Sequence, residues 1–191
     1  MAKLIYMMNI SLDGHISERD GSFAWSAPTP EFYTTINNLQ RSVGTYLYGR
    51  RLYESMAVWD TAHLAADAPA FTPGLQDHER EFAALWRAAE KVVFSTTLAS
   101  VSTARTRLER TVDPETIRQL KATSERDLSV GGPGLAAAFL AAGLVDELHA
   151  FVHPIITGGG APWLPQDHRL PLELAGEQRL GSLVHLHYRA R

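Results

Sequence analysis

Apolar residues along this chain fall into short continuous runs, separated by longer stretches in which they recur every three or four positions. The runs Lys3 to Ile10, Thr45 to Tyr48, Val92 to Ser95 and Leu128 to Val130 are too short for free-standing helices and read as buried strands. Glu147 to Pro154 and Leu183 to Tyr188 read the same way. Between them, Pro30 and Glu31 open a helix with Phe32, Ile36 and Leu39 on one face. His78 to Lys91 predicts a helix that turns Phe82, Leu85 and Trp86 inward. Asp113-Pro114-Glu115 combines an N-cap, a proline at the first helical position and an early acid, and opens a helix to about Lys121. Ala136 to Gly143 is a further helix with Gly143 as its C-cap. The segments Ser11 to Trp25 and Ala62 to Asp77 read as loops.

Strands that alternate with helices of about ten residues predict a three-layer α/β/α sandwich around a largely parallel sheet. The last two strands have no helix between them, so the sheet is expected to be mixed, with an antiparallel C-terminal edge. Neither an internal repeat nor a linker divides the chain, and residues 1–191 are read as one domain, an ordinary length for one. Cysteine is absent, which excludes disulfides, thiol nucleophiles and cysteine-ligated zinc and agrees with a cytoplasmic setting. The first residues do not form a signal peptide, and no apolar stretch approaches the roughly 20 residues of a membrane span. Formal charge is -3 with the basic residues scattered, which points away from nucleic acid and toward a small-molecule partner. Only Lys3, Lys91 and Lys121 are lysines, so the arginines reflect composition as readily as function.

Candidate chemistry sits where predicted strands end. Val130-Gly131-Gly132-Pro133-Gly134-Leu135 runs from a strand through glycines into a helix, a pattern that brings backbone amides and the positive end of a helix dipole to an anion. Gly49-Arg50-Arg51 ends another strand, and Ser95-Thr96-Thr97 a third. In an open α/β sheet ligands gather beyond the carboxyl ends of the strands, so the three together suit a phosphate-bearing ligand. The glycines do not follow G-x-G-x-x-G, and no Gly-Lys-Ser/Thr is present, so neither the usual dinucleotide fingerprint nor a P-loop applies.

Five ordered motifs carry a family resemblance. Ser11-Leu12-Asp13-Gly14-His15-Ile16, Leu47 to Glu54, Val130-Gly131-Gly132, Gly143 to Leu148 and Pro154 to Gly160 resemble, in the same order, the reductase domain of the bifunctional riboflavin-biosynthesis deaminase-reductase. The resemblance spans Lys3 to about Tyr188 and implies a dihydrofolate reductase-like fold, NADPH as cofactor and hydride transfer to a small pyrimidine- or pteridine-type substrate. By motif position it implies cofactor contacts at Gly49, Arg50, Arg51, Ser95, Thr96, Val130, Gly131, Gly132, Gly134 and Leu135. Two adjacent arginines suit the 2'-phosphate, which favours NADPH over NADH. Asn9, Asp13, Trp25 and Glu31 become candidate substrate contacts, with Asp13 and Glu31 also candidate catalytic groups. The resemblance further implies a homodimer paired through the C-terminal strands and the loop at Gly158-Gly159-Gly160.

Each of these carries a plainer alternative. Asp13-Gly14 is also a common turn pair, and Glu31 falls one residue late against the pteridine-pocket acid of dihydrofolate reductases, where it suits a first-turn acid. Leu52 replaces the threonine usual in dihydrofolate reductases, which favours the riboflavin-type branch over a true dihydrofolate reductase. A non-catalytic nucleotide-binding dimer remains open. Zinc-dependent deaminase chemistry is excluded by the absence of cysteine. His149 with His153, and His185 with His187, share strand faces, but no carboxylate motif accompanies them, so no metal site is assigned and they read as strand or interface histidines. Trp59, Trp86 and Trp163 read as packing residues.

Overall fold

The apolar run Leu4–Ser11 (β1) sends alternate side chains to opposite faces, and the computed structural model, which describes residues 1–61 and 75–191, shows both faces covered. Ile5 and Met7 pack with Phe32, Tyr46 and Trp86 on one side; Leu4, Tyr6 and Ile10 pack with Leu128, Phe139 and Leu148 on the other. The remaining strands are His15–Ser17 (β2), Val43–Gly49 (β3), Glu90–Phe94 (β4), Thr106–Glu109 (β5), Asp127–Gly131 (β6), Glu147–His153 (β7), Ala161–Pro162 (β8), Leu172–Leu180 (β9) and Leu183–Ala190 (β10). Helices are Pro30–Gln40 (α1), Arg50–Met56 (α2), Val58–Thr61 (α3), Asp77–Ala88 (α4), Pro114–Thr123 (α5) and Pro133–Ala141 (α6). Eight strands form one sheet in the order β5-β4-β3-β6-β1-β7-β10-β9, and β2 pairs with β8 in a separate ribbon. From β5 to β7 every pairing is parallel; β10 and β9 close the edge antiparallel. The expected mixed sheet with an antiparallel C-terminal edge is the one observed.

Helix starts follow their caps. The Thr29 hydroxyl accepts from the Phe32 amide, and Asp113 accepts from the amides of Glu115 and Thr116. The strands β2, β5, β8 and β9 and the short helices α2 and α3 lie outside the sequence reading. Of these, β5 and β9 are the two edges of the main sheet; β9 is exposed along most of its length, β5 is partly buried, and neither carries a buried apolar run. The expected loop over 62–77 lies outside the described residues except at its end, where Gln76 caps α4 and Asp77 already belongs to that helix.

The expected helix from His78 to Lys91 ends at Ala88, and Lys91 enters β4 instead. Its ammonium is buried, donates to the carbonyls of Trp86 (3.1 Å) and Ala89 (2.9 Å), and lies 4.3 Å from the Trp86 ring centroid. It thus serves the end of α4, where helix carbonyls lack partners and the dipole favours a cation. Trp86 Nε1 in turn donates to Tyr48 Oη (3.2 Å), and Tyr46 Oη donates to Gln40 Oε1 (2.8 Å). Trp59, Trp86 and Trp163 are buried, in keeping with their reading as packing residues. Among the described residues no helix is long and apolar enough to cross a membrane.

Candidate functional site

Parallel pairing sets three strand ends in a row. Gly49 lies opposite Phe94, and Tyr48 opposite Gly131, so the turns after β4, β3 and β6 stand side by side. Gly132 caps α6 with φ at 98°, a conformation that favours glycine, and a Cβ there would come within 3.8 Å of the Gly49 amide nitrogen. The two glycine turns are therefore close enough that a side chain at Gly132 would lie against the Gly49 backbone. No side chain caps α6, and Pro133 at its first position has no N–H, so the amides of Gly134 and Leu135 lead the helix. A Cβ at Gly134 would meet nothing within 4 Å, whereas one at Gly131 would collide with Leu52 Cδ2. Gly131 is thus small for packing and Gly134 faces open space. Val130 is buried and paired with both β1 and β3, whereas Leu135, also buried, has its amide in the first turn of α6.

The arginines after β3 are exposed. Arg50 Nε donates to Glu54 (2.8 Å) and its Nη1 to Thr97 Oγ1 (3.0 Å), a bridge from α2 to the turn after β4. Ser95 Oγ is occupied within its own turn, accepting from the amides of Thr97 and Leu98. Thr96 and Thr97 are both exposed, and Thr97 is the hydroxyl joined to Arg50. Arg110 fixes the same turn by donating to the carbonyls of Ser95, Leu98 and Ala99. Nothing in the sequence separates Arg110 from the other arginines, and only the β4–β5 pairing brings it here.

A second group forms where β1 and β7 end, with Ser11 opposite His153. His153 Nε2 lies 3.1 Å from Asn9 Oδ1, and because that oxygen only accepts, His153 carries its proton on Nε2. Trp25 meets the His153 ring edge-on at 5.2 Å, and its Nε1 is buried with no hydrogen-bond partner among the described residues. His153 escaped the sequence reading as a site residue; its position before Pro154 at a strand end was the available signal.

Asp13 binds the loop after β7. It accepts from Ser11 Oγ (2.7 Å) and from the amides of Thr157 (3.1 Å) and Gly158 (2.9 Å), with His15 Nδ1 at 3.3 Å. The Ser11 hydroxyl first, and then the two amides, hold this carboxyl well below the usual range, outweighing the effect of burial. Glu31 is the second residue of α1 and is exposed; its own amide and the Thr29 hydroxyl lower its carboxyl, as expected of a first-turn acid. Among the described residues no hydrogen bond joins Glu31 to Asn9, Asp13 or His153. The structure brings Asn9, Trp25 and His153 together.

Burial pushes the His153 imidazole below its ordinary value. The native state therefore resists a proton that the unfolded chain accepts below about pH 6.5, so stability from this group is lost as pH falls through that region. His153→Gln removes that linkage. Urea unfolding at about pH 7.5 and 5.5 should show the advantage of the wild type over His153→Gln shrinking at the lower pH. A constant difference would mean that His153 is not held neutral.

An eight-stranded, mostly parallel sheet with an antiparallel hairpin at its edge and glycine turns at the ends of its parallel strands defines a mixed-sheet α/β protein. The chain belongs to the RibD C-terminal domain family, whose model matches residues 2–186. It is 26% identical over 184 residues to the uncharacterized protein YyaP of Bacillus subtilis, covering 95% of this chain and 91% of that protein. It is 30% identical over 153 residues to the riboflavin biosynthesis protein RibD of Mycobacterium tuberculosis, covering 78% of this chain but 41% of that longer protein. A Shewanella sp. PV-4 structure, provisionally named a riboflavin biosynthesis protein, shares the fold with a TM-score of 0.73 at 23% identity, over 100% of this chain and 99% of that one.

Proposed function

We propose that this chain is an NADPH-dependent reductase acting on a small pyrimidine- or pteridine-type heterocycle, in the manner of 5-amino-6-(5-phosphoribosylamino)uracil reductases. The carrying observation is the row of three strand ends, with Gly132 at positive φ against Gly49 and the uncapped start of α6 beside them. That arrangement fits a pyrophosphate, because it presents uncapped backbone donors at a helix start beside open space. Family membership supports the same reading.

When bound, NADPH supplies the hydride. In this reading the amides of Gly134 and Leu135 take the pyrophosphate, and Arg50, Arg51 and Thr97 take the 2'-phosphate. Trp25 Nε1 offers a buried donor to a substrate carbonyl or ring nitrogen, and Asn9 with His153 forms the polar wall of that pocket. Asp13, held ionised, acts as a positioning residue that fixes the loop at Thr157 and Gly158 and is unsuited to give up a proton at neutral pH. Glu31 serves the start of α1. A homodimer through the β9–β10 edge, where Leu174 and Val184 are exposed, belongs to the same proposal.

Titration with NADPH and NADH, followed by nicotinamide fluorescence, tests the reading. NADPH should bind at least tenfold tighter, a difference of about 1.4 kcal/mol. Arg50→Ala and Arg51→Ala should weaken NADPH more than NADH; equal losses would contradict the 2'-phosphate assignment. Tight NADPH binding without oxidation by any pyrimidine or pteridine would favour the non-catalytic nucleotide-binding dimer. Light scattering of the same sample reads the oligomeric state.

A further inference from the structure

Strand pairing supplies a carboxylate that the histidine spacing alone does not reveal. In the antiparallel β7–β10 pair, His187 lies opposite His149 and Arg189 opposite Glu147, so Glu147, His149 and His187 project from one face. Glu147 Oε2 is 3.4 Å from His187 Nε2 and 3.7 Å from His149 Nε2, and the three atoms all lie within 4.8 Å of one another. Both Nε2 atoms are buried without a hydrogen-bond partner among the described residues, and His149 itself is 1% exposed. Two buried ring nitrogens, neither satisfied by a hydrogen bond and both facing one carboxylate oxygen, are costly unless something occupies the space between them.

The separations suit a metal ion. Tetrahedral zinc, with ligand bonds of about 2.0–2.2 Å, sets neighbouring ligand atoms roughly 3.3–3.6 Å apart, close to the two distances observed here. The outer groups are also in place. His149 Nδ1 is 2.9 Å from His185 Nε2, which fixes Nδ1 as the protonated nitrogen when Nε2 is the ligand. Lys3 Nζ donates to Glu147 Oε1 at 2.8 Å and Arg189 Nε lies 3.7 Å from that oxygen, which leaves Oε2 for an ion. These two cations oppose a third positive charge, but both sit on the far oxygen, and Lys3 is half exposed and screened by water. His187 retains 21% of its side-chain exposure, which gives an ion a route in. The His149 and His187 rings stack at 11°, and coordination would open that angle.

We propose that Glu147, His149 and His187 form a divalent transition-metal site, with zinc the best match to its two imidazoles and one carboxylate and with one coordination position left to water. An ion there would fasten β10 to β7 at the amino end of β7. The cofactor cradle lies at the carboxyl ends of the strands, so the metal site is separate from the proposed reductase chemistry and does not depend on it.

The test uses the full chain without a histidine tag, stripped by chelator and titrated calorimetrically with zinc chloride. One ion per chain should bind, and zinc at about a hundredfold over its dissociation constant should raise the melting temperature by several degrees. His187→Ala, at the most exposed of the three ligand positions, should weaken binding at least tenfold and abolish the thermal shift. His168→Ala, in an unrelated loop, should change neither. Cobalt substituted for zinc should give the intense visible bands of four- or five-coordination. Zinc that leaves the wild-type melting temperature unchanged, equal affinity in His187→Ala, or a pale octahedral cobalt spectrum would each overturn the site.

Discussion

Replacing Gly132 with valine should remove measurable NADPH binding and cost the fold about 1–3 kcal/mol. The penalty comes from the backbone, because φ at 98° is hostile to a β-branched residue. The loss of binding comes from the valine side chain standing between the turns after β3 and β6, where Gly132 now lies against Gly49. A single substitution of this kind confounds the two effects. Gly134→Ala separates them: Gly134 lies in the first turn of α6 without positive φ, and an added Cβ meets nothing within 4 Å. Alanine there should raise stability by about 0.5–1 kcal/mol. If the pyrophosphate rests on this helix start, the same methyl group should lower NADPH affinity at least tenfold. A variant that is more stable and binds NADPH normally would remove the cradle from the cofactor site.

Lys91→Ala should be the most damaging change to stability outside the site. It leaves the Trp86 and Ala89 carbonyls without their donor and opens a void under the Trp86 ring. Together these should cost about 3–5 kcal/mol. For a chain of this size that is a fall of roughly 6–20 °C in melting temperature. Lys91→Met retains most of the apolar stem and loses only the ammonium, so its expected cost is about 1–3 kcal/mol. Burial lowers the Lys91 pKa, so the ammonium itself is there at a desolvation cost. If Lys91→Met matches the wild type, the lysine contributes only as a packed stem, and its hydrogen bonds merely offset that cost.

The buried strands β1, β3, β4, β6 and β7 were legible because each is a run of apolar residues covered on both faces, the signal that period and length carry. β5 and β9 were not, since Thr106–Glu109 and Leu172–Leu180 gain their structure from a neighbour's hydrogen bonds at a sheet edge. Lys91 defeated the boundary of α4 because a lysine inside the core is intelligible only once the helix end it serves is in view. For the site, the glycine turns and Gly49-Arg50 were visible as local sequence, and the register sets them in a row. His153, Thr97 and Arg110 act through partners distant in sequence, and spacing says nothing about those. Glu147 stood only two residues before His149, but its meaning depended on His187 arriving opposite.

The placement of β1 bears on how the protein is made. This strand precedes the other strands of the sheet along the chain, yet Leu4 pairs with Leu128 and Ile5 with Glu147. The centre of the sheet therefore cannot close until most of the chain has left the ribosome. Until then β3, β4 and β5 can form a parallel three-stranded unit with its β3 edge unpaired. Such non-local parallel pairing is slow and leaves sticky edges open in the meantime. Substitutions that slow synthesis or weaken β6 should show first as lost soluble yield, before any loss of activity in the molecules that finish folding.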